Sequence, residues 1–414
     1  MKRLTVLTLV LFITLCAELP GVFRSTSPSG GMIPLTGAQT GRNALGTGPT
    51  TLYLPLLRKA GTNLCRMGVA SIPQKPGGMN VDLLKQLRAG GLIEWSSRPS
   101  YPLPGDVTYV RVLRVGTPFD KTTKTFVDNF TPTLNSVVGL AREAPTGVFQ
   151  IGNEPDTCYE MQDCTLPETY AEQFFQLATL IRQNAPGARI GFGTIVQPTP
   201  LRLRYLTRAW NRLVQLAGSP SAAAGLFDFV SIHAFVLNEE YCVLYPQNPN
   251  FPDNCKWGTG TPRGFENDHA DAVQITNLAD TYSATIFASR LRAMRTWMLN
   301  RGLRDKPLWI TEYGSLLPPF DPPDRNVANV SDATTAKFMT DTFNFMLYTS
   351  DAAIGMPADQ NRLVQRWFWY SQNEYRYVFG GTLFDPANNS AVTPVGQAWL
   401  NYTAALPADE TCLP

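Results

Sequence analysis

Short apolar runs alternate with amphipathic segments from about residue 62 to residue 405. Eight runs are of strand type, because they are rich in β-branched and aromatic residues and end at Gly, Pro or polar residues. The predicted strands cover 64–70, 92–96, 107–115, 148–153, 189–196, 227–235, 308–311 and 364–370. Helical periodicity marks 81–89, 126–143, 168–184, 203–217, 284–300, 333–347 and 395–405. The eight strands and their helices predict a single (β/α)8 barrel with long loops after strands four, six and seven.

Two of the predicted strands run directly into a glutamate. Glu154 lies in the segment 147–156 (GVFQIGNEPD), and Glu312 lies in the segment 306–314 (KPLWITEYG). Each motif alone is weak, since Asn, Glu and Pro are common where strands end. In one parallel barrel, however, the carboxyl ends of the strands share the rim that carries the active site. Two carboxylates across a cleft are what cleavage of a glycosidic bond requires, one as acid and one as nucleophile or base.

The composition favours a neutral partner. The 414 residues are 44% hydrophobic and 16% charged, and the 35 basic and 33 acidic side chains nearly cancel. This balance gives no electrostatic support for binding nucleic acid or an acidic membrane surface. It fits a polysaccharide or oligosaccharide partner, and we expect a monomer.

The N-terminus predicts export. A positive start at 1–3 precedes an apolar stretch at 4–17 that is too short to span a bilayer, so residues 1–17 are predicted to be a signal peptide. Residues 18–61 have the Ser, Thr, Gly and Pro content of a linker, and 62–414 would be the barrel. We therefore expect a secreted protein. Cys16 leaves a lipid anchor at the cell surface as an alternative, which the bulky Leu15 before it disfavours.

Six further cysteines favour disulfides, since an even number in an exported chain is typical of them. Sequence proximity favours the pairs Cys158–Cys164 and Cys242–Cys255, which leaves Cys65 to pair with Cys412. A metal site would need clustered Cys and His. The chain has only two histidines, His233 and His269, so we expect neither a metal nor another cofactor.

Several segments resemble clan A of the retaining glycoside hydrolases and, within it, the family 128 type of endo-β-1,3-glucanase; families 5 and 39 are alternatives. The clan has an Asn-Glu pair ending strand four and a Glu ending strand seven, matched here by Asn153-Glu154 and Glu312. The family-type segments are 152–156 (GNEPD), 227–233 (FDFVSIH), 308–312 (LWITE), 364–369 (VQRWFW), 382–385 (TLFD) and 393–396 (TPVG). The resemblance covers about residues 147–402. It implies a barrel enzyme that hydrolyses a β-glucan with retention of configuration.

The resemblance also implies separate roles for the two carboxyls. Glu154 would be the acid/base, protonated at rest, and Glu312 would be the ionised nucleophile. A negative charge on Glu312 raises the proton affinity of Glu154, which keeps one acid and one base available at the same pH. The Asn153 amide could hydrogen-bond the 2-hydroxyl of the sugar, although Asn is also an ordinary turn residue.

His233 ends strand six and is a further candidate for binding substrate, with a core histidine as the alternative. The clan commonly has a Tyr two residues after this His, where its hydroxyl reaches the nucleophile. This chain has Phe235 there, so that contact is missing or comes from Tyr241, Tyr245 or Tyr313.

Trp369, at the end of strand eight, would be the platform on which the sugar stacks, because aromatic faces suit the apolar face of a sugar. A core position is the alternative, since only alternate side chains of a strand point inward. Arg111 and Arg114 on strand three could steady the nucleophile or form buried salt bridges.

Other classes of protein are less well supported. A catalytically inactive, carbohydrate-binding barrel of the cell surface would not need both glutamates. A serine hydrolase would need a Gly-x-Ser-x-Gly turn, which the chain lacks. A purely structural surface protein would lack an open cleft between the two carboxylates.

Overall fold

The computed structural model describes residues 64–72, 81–116, 119–120, 125–126, 134–158, 162–239, 259–275, 278–316, 330–374 and 379–407. The predicted signal peptide (1–17) and linker (18–61) lie outside these residues, as do Cys242, Cys255 and Cys412. Within the described part of the chain, no helix combines the length and apolar character needed to cross a membrane.

Eight parallel strands close into a barrel. Sequence neighbours pair around the barrel, and the last strand pairs with the first, Trp367 lying beside Met67. The predicted (β/α)8 barrel is therefore confirmed. The strands are β1 (Leu64–Ala70), β2 (Ala89–Ile93), β3 (Thr108–Leu113), β4 (Val148–Ile151), β5 (Arg189–Gly193), β6 (Phe229–His233), β7 (Leu308–Gly314) and β8 (Arg366–Tyr370).

Helices surround the barrel, and several begin at a proline, because its missing N–H has no partner to lose in the first turn. Pro167, Pro200, Pro220 and Pro394 each open a helix in this way. The described helices are α1 (Val81–Gln86), α2 (Leu134–Glu143), α3 (Pro167–Asn184), α4 (Pro200–Ala217), α5 (Pro220–Gly225), α6 (Ala284–Leu299), α7 (Asp332–Tyr348) and α8 (Pro394–Ala404).

The first third of the barrel differs most from the sequence prediction. The strand predicted at 92–96 covers Ala89–Ile93, and the segment 94–107 after it forms bends and turns without a helix. Pro99, Pro102 and Pro104 lie in that segment, and proline removes the N–H that a helix interior needs. Of the helix predicted at 126–143, the described residues form α2 from Leu134 to Glu143. Phe126 belongs to a two-residue strand, Thr125–Phe126, and residues 127–133 lie outside the described part of the chain.

Inside the barrel, large rings fill space that glycines leave open. A Cβ on Gly68 would lie 2.5 Å from the Phe368 ring, and one on Gly91 would lie 2.7 Å from it. Trp309 of β7 stacks on Phe229 of β6, with ring centroids 4.1 Å apart. The strand residues that alternate with these inward-facing residues point outward, into the apolar layer that packs against the helices. The rings form a rigid floor below the rim.

We expect Gly68→Ala to lower the free energy of unfolding by about 1–3 kcal/mol, because the added methyl overpacks the barrel against Phe368. The matched control is Gly139→Ala in α2, where the added Cβ meets no atom within 4 Å. That control should raise stability by roughly 0.5–1 kcal/mol, since alanine favours the helix. Urea unfolding measures both, and equal stabilities of Gly68→Ala and the wild type would contradict the packing described here.

Candidate active site

The turn after β4 sets the position of Glu154. Gly152 has φ 94°, a left-handed conformation that favours glycine, and a Cβ there would lie 3.0 Å from the Tyr170 ring. Glu154 itself has φ 45°, which is uncommon for a residue with a side chain and typical of functional sites. Its backbone N–H donates to the Thr194 carbonyl at 3.0 Å. The turn is therefore held from β5 while it directs the carboxyl towards the barrel axis.

A β-bulge in β7 sets the position of Glu312. Ile232 pairs with Ile310 and His233 pairs with Glu312, so Thr311 is an extra residue on β7. The pairing with β8 shows the same shift. Without the bulge, Glu312 would lie on the face of Ile310, which packs towards the helices. The extra residue brings the Glu312 side chain to the mouth of the barrel, a known use of bulges next to active sites.

The two carboxyls meet around His233. The His233 Nδ1 atom lies 2.7 Å from Glu154 Oε1 and 3.6 Å from Glu312 Oε2. One oxygen of each carboxyl and a His233 ring nitrogen all lie within 4.8 Å of one another. The imidazole is fully buried, whereas the Glu154 and Glu312 side chains remain 6% and 12% exposed. The structure therefore brings three sequence-predicted site residues together where the carboxyls retain access to solvent.

Trp95 is a site residue that the sequence analysis missed. It follows β2, and its indole N–H donates to Glu312 Oε2 at 3.0 Å. The sequence analysis looked for such a contact from a tyrosine near His233. Tyr241 and Tyr245 lie outside the described residues, and Phe235 packs edge-on against the His233 ring. Trp95 shares no motif with either glutamate, so only its place just after the second strand could have pointed to the rim.

Asn153 lies beside Glu154 and is buried. Its side-chain amide donates to Gln162 Oε1 at 2.6 Å, and its own Oδ1 has no hydrogen-bond partner among the described residues. A buried acceptor without a partner is costly unless a ligand or water satisfies it. The side chain therefore has the free acceptor that a sugar hydroxyl would need.

Tyr313 and Trp369 do not line the site, and the sequence assignment of both is corrected. Both are fully buried in the layer between barrel and helices, where their rings pack edge-on with centroids 5.2 Å apart. The Tyr313 hydroxyl approaches Thr342 of α7, and the Trp369 indole donates to the Gly381 carbonyl. The reason is strand alternation: Phe368 points into the barrel, so Trp369 points out.

A disulfide and a set of hydrogen bonds hold the loop after Glu154 in place. The predicted disulfide Cys158–Cys164 is present. Asp163, next to it, accepts hydrogen bonds from the backbone N–H of Asn153 at 2.7 Å and from Arg114 at 2.5 Å. Arg114 thus supports the Glu154 turn through a buried salt bridge, the second of the two roles considered for it. Arg111 donates to the Ser97 carbonyl and does not bond Glu312.

A second buried network ties this turn to the loop after β6. Arg202 of α4 is fully buried between two acids, Asp156 and Glu239, and donates to Glu239 Oε1 at 2.7 Å. It also donates to the Gly260 carbonyl at 2.7 Å. Because Asp156 lies two residues after Glu154, this network fixes the loop that carries the carboxyl.

The electrostatics of the trio depend on burial. Burial raises the pKa of the Glu312 carboxyl to about 7; the charge of His233 and the Trp95 hydrogen bond oppose the rise, and Glu154 adds to it. Burial lowers the pKa of His233, but Glu312 and the hydrogen bond to Glu154 outweigh it, so that the pKa lies above its usual value. The sequence analysis expected Glu312 to be ionised at rest, and the raised pKa of its carboxyl differs from that expectation. In the free protein, Glu312 ionises only as the pH approaches neutrality.

The same three side chains could hold a divalent cation, since their donor atoms lie so close together. The sequence analysis did not find this set because two of its donors are carboxylates and not Cys or His. A cation there would occupy the oxygens that acid and nucleophile chemistry requires. That the protein works without metal or cofactor stays a prediction.

No protein-family model matches the chain, and the search of curated proteins finds no match. Solved structures with a similar fold include a family 128 (subgroup I) endo-β-1,3-glucanase from Amycolatopsis mediterranei in complex with laminaritriose, at 15% identity and TM-score 0.48, covering 81% of this chain and 99% of that one. A subgroup II endo-β-1,3-glucanase from Sorangium cellulosum has 15% identity, TM-score 0.46 and coverages of 81% and 98%. A subgroup VI exo-β-1,3-glucanase from Aureobasidium namibiae has 9% identity, TM-score 0.45 and coverages of 81% and 96%. Likeness at this level carries no argument about activity, which has to come from the site.

We expect Arg202→Met to lower the free energy of unfolding by about 3–5 kcal/mol, because it leaves Asp156 and Glu239 buried without their cation. The matched control is Arg212→Met on the surface of the same helix, where Arg212 pairs with the exposed Glu172. That change should cost less than about 1 kcal/mol. Chemical unfolding of the two variants measures the difference, and similar losses in both would contradict a bracing role for Arg202.

We expect Glu312→Gln to flatten the pH dependence of stability. A carboxyl with a folded-state pKa of about 7 and an ordinary value of 4.5 binds more protons in the folded state, so stability falls as pH rises through this window. The raised pKa of His233 acts in the same direction, its contribution being lost as pH rises above 6.5. The Glu312 contribution is at most about 3 kcal/mol.

Urea unfolding at pH 5 and pH 8 tests this expectation, with the exposed Glu172→Gln as control. The wild type and the control should lose stability between the two pH values, and Glu312→Gln should lose less. The same loss in all three proteins would show that burial of Glu312 does not govern the pH response.

Proposed function

We propose that this protein is a secreted, retaining β-glycoside hydrolase that cleaves a neutral glucan with Glu312 as nucleophile and Glu154 as acid/base. The observation that carries the proposal is the short separation of the two carboxyls, since one oxygen of Glu154 lies within 4.8 Å of one oxygen of Glu312. Retaining enzymes hold their carboxyls about 5–5.5 Å apart, whereas inverting enzymes need roughly 6.5–9.5 Å to admit a water molecule. The geometry therefore favours attack by a side chain over attack by water.

The first step transfers the sugar to the protein. An oxygen of ionised Glu312 attacks the anomeric carbon and forms an ester bond, while the bond from that carbon to the glycosidic oxygen breaks. Glu154 gives its proton to the departing oxygen, which leaves as an alcohol. His233 hydrogen-bonds Glu154 Oε1 and so holds the acid in place for this transfer.

The second step releases the sugar. Glu154, now ionised, takes a proton from a water molecule, and the water oxygen attacks the anomeric carbon. The ester bond breaks and returns Glu312 to its carboxylate form. Because two inversions occur at the same carbon, the product keeps the configuration of the substrate.

A β-glucan is the substrate class that we propose. Its support is the sequence resemblance around Asn153-Glu154 and Glu312, together with the near balance of 35 basic and 33 acidic residues. The free Oδ1 of Asn153 gives a buried acceptor for a sugar hydroxyl next to the acid. A polyanionic glycan has no matching excess of positive charge in this chain.

The pH dependence follows from the pKa of Glu312. Because burial raises that pKa to about 7, the nucleophile loses its charge as pH falls below neutrality. We expect kcat/KM to fall by about tenfold for each pH unit below the pKa of Glu312, as for a single ionisation in the free enzyme. A rate profile that stays flat from pH 7 down to pH 4 would contradict this assignment.

The proposal is tested by hydrolysis of β-1,3-, β-1,4- and mixed-linked glucans, mannan and xylan, followed by the Gln variants of the two carboxyls. Glu312→Gln should abolish turnover, since an amide cannot attack. Glu154→Gln should slow substrates with poor leaving groups far more than activated aryl glycosides, which depart without a proton. Glu172→Gln, an exposed glutamate of α3, serves as the matched control and should keep full activity.

Two outcomes would overturn the proposal. Near-normal turnover by Glu312→Gln would remove its role as nucleophile. Binding of glycans without hydrolysis of any of them would instead identify an inactive carbohydrate-binding barrel.

A further inference from the structure

Trp95 is unusual among the described tryptophans because it is only partly buried. The other described tryptophans are all nearly or fully enclosed: Trp210, Trp297, Trp309, Trp367, Trp369 and Trp399. Trp95 packs edge-on against the Tyr370 ring, with centroids 5.6 Å apart, and its N–H reaches the Glu312 carboxyl. An aromatic ring with free surface thus lies beside the nucleophile.

The backbone at Trp95 also departs from ordinary geometry. Its φ is 52°, in the left-handed region that a bulky residue rarely adopts. Such strain costs on the order of 1–3 kcal/mol and persists where the surroundings fix it, most often at functional sites. Here Tyr370 holds the ring, and the Tyr370 hydroxyl in turn hydrogen-bonds Glu374.

We propose that Trp95 is the positioning residue of Glu312 and that the free part of its ring is the surface on which the sugar at Glu312 stacks. The proposal rests on the function proposed above and adds the residue that joins substrate binding to the nucleophile. Trp95 takes the stacking role that the sequence analysis assigned to Trp369. Its indole N–H also makes the contact to Glu312 that the sequence analysis expected from a tyrosine.

Hydrogen-bond geometry supports the positioning role. A carboxylate that accepts an N–H at 3.0 Å is held in one rotamer, and a bond to the charged form is stronger than a neutral one. The charged or titratable groups that face Glu312 are His233 from β6, Glu154 from the turn after β4 and Glu374 after β8. The Trp95 indole N–H, unlike these groups, does not titrate, so it remains a donor to Glu312 at every pH of interest.

Two variants separate the roles of the indole. Trp95→Phe keeps an aromatic face and removes the N–H, so kcat should fall about tenfold with little change in KM. The acid limb of its pH profile should move to higher pH, since the charged form of Glu312 loses a donor. Trp95→Ala also removes the face, so KM should rise by about tenfold as well.

The matched control is Trp297→Phe, because the Trp297 N–H donates to Thr207 between two outer helices. It removes the same bond type away from the site and should leave kcat, KM and the acid limb unchanged. Wild-type kcat and an unshifted acid limb in Trp95→Phe would overturn the positioning role. An unchanged KM in Trp95→Ala would overturn the stacking role.

An NMR experiment tests the contact independently of turnover. The Trp95 indole cross-peak, assigned by its loss in Trp95→Phe, should move between about pH 5 and pH 8 as Glu312 titrates. It should stay fixed in Glu312→Gln. If the wild type hydrolyses no glycan, the proposed function fails while this titration still decides the contact. A cross-peak that moves equally in wild type and Glu312→Gln would contradict the inference.

Discussion

The short distance between two buried carboxyls is the constraint on which this site depends. Like charges this close repel, and burial further disfavours their ionised forms. His233 offsets the repulsion by approaching both carboxyls, and the Trp95 N–H stabilises the second. The raised pKa of Glu312 is the remaining cost of the arrangement. The proposed hydrolysis would therefore be confined to a pH range set by how well these donors compensate burial.

Local irregularities in an otherwise regular barrel create that short distance. The extra Thr311 in β7 turns Glu312 towards the mouth, and the left-handed turn at Gly152 and Glu154 directs the other carboxyl. Both irregularities need rigid support, since strained backbone relaxes when its surroundings allow. The filled barrel floor provides it from below, and the buried Arg202 and Asp163 networks provide it around the loops.

The sequence predicted what depends on strand order, and it missed which strand side chains face outward and which loop contacts the nucleophile candidate across the barrel mouth. The rim position of Glu154 and Glu312 follows from parallel strands, and the Cys158–Cys164 disulfide follows from proximity. Strand alternation, with Gly68 and Gly91 making room for Phe368, could have shown that Trp369 faces outward. The contact of Trp95 could not be predicted, because it joins the loop after β2 to β7 across the barrel mouth.

The configuration of the first product tests the central claim most directly. Proton NMR during hydrolysis of a β-linked gluco-oligosaccharide shows which anomer appears before the two equilibrate in water. The account predicts that the β-anomer appears first, because Glu312 lies close enough to Glu154 to act as the nucleophile. If the α-anomer appears first, water is the nucleophile and the double displacement at this carboxyl pair is wrong.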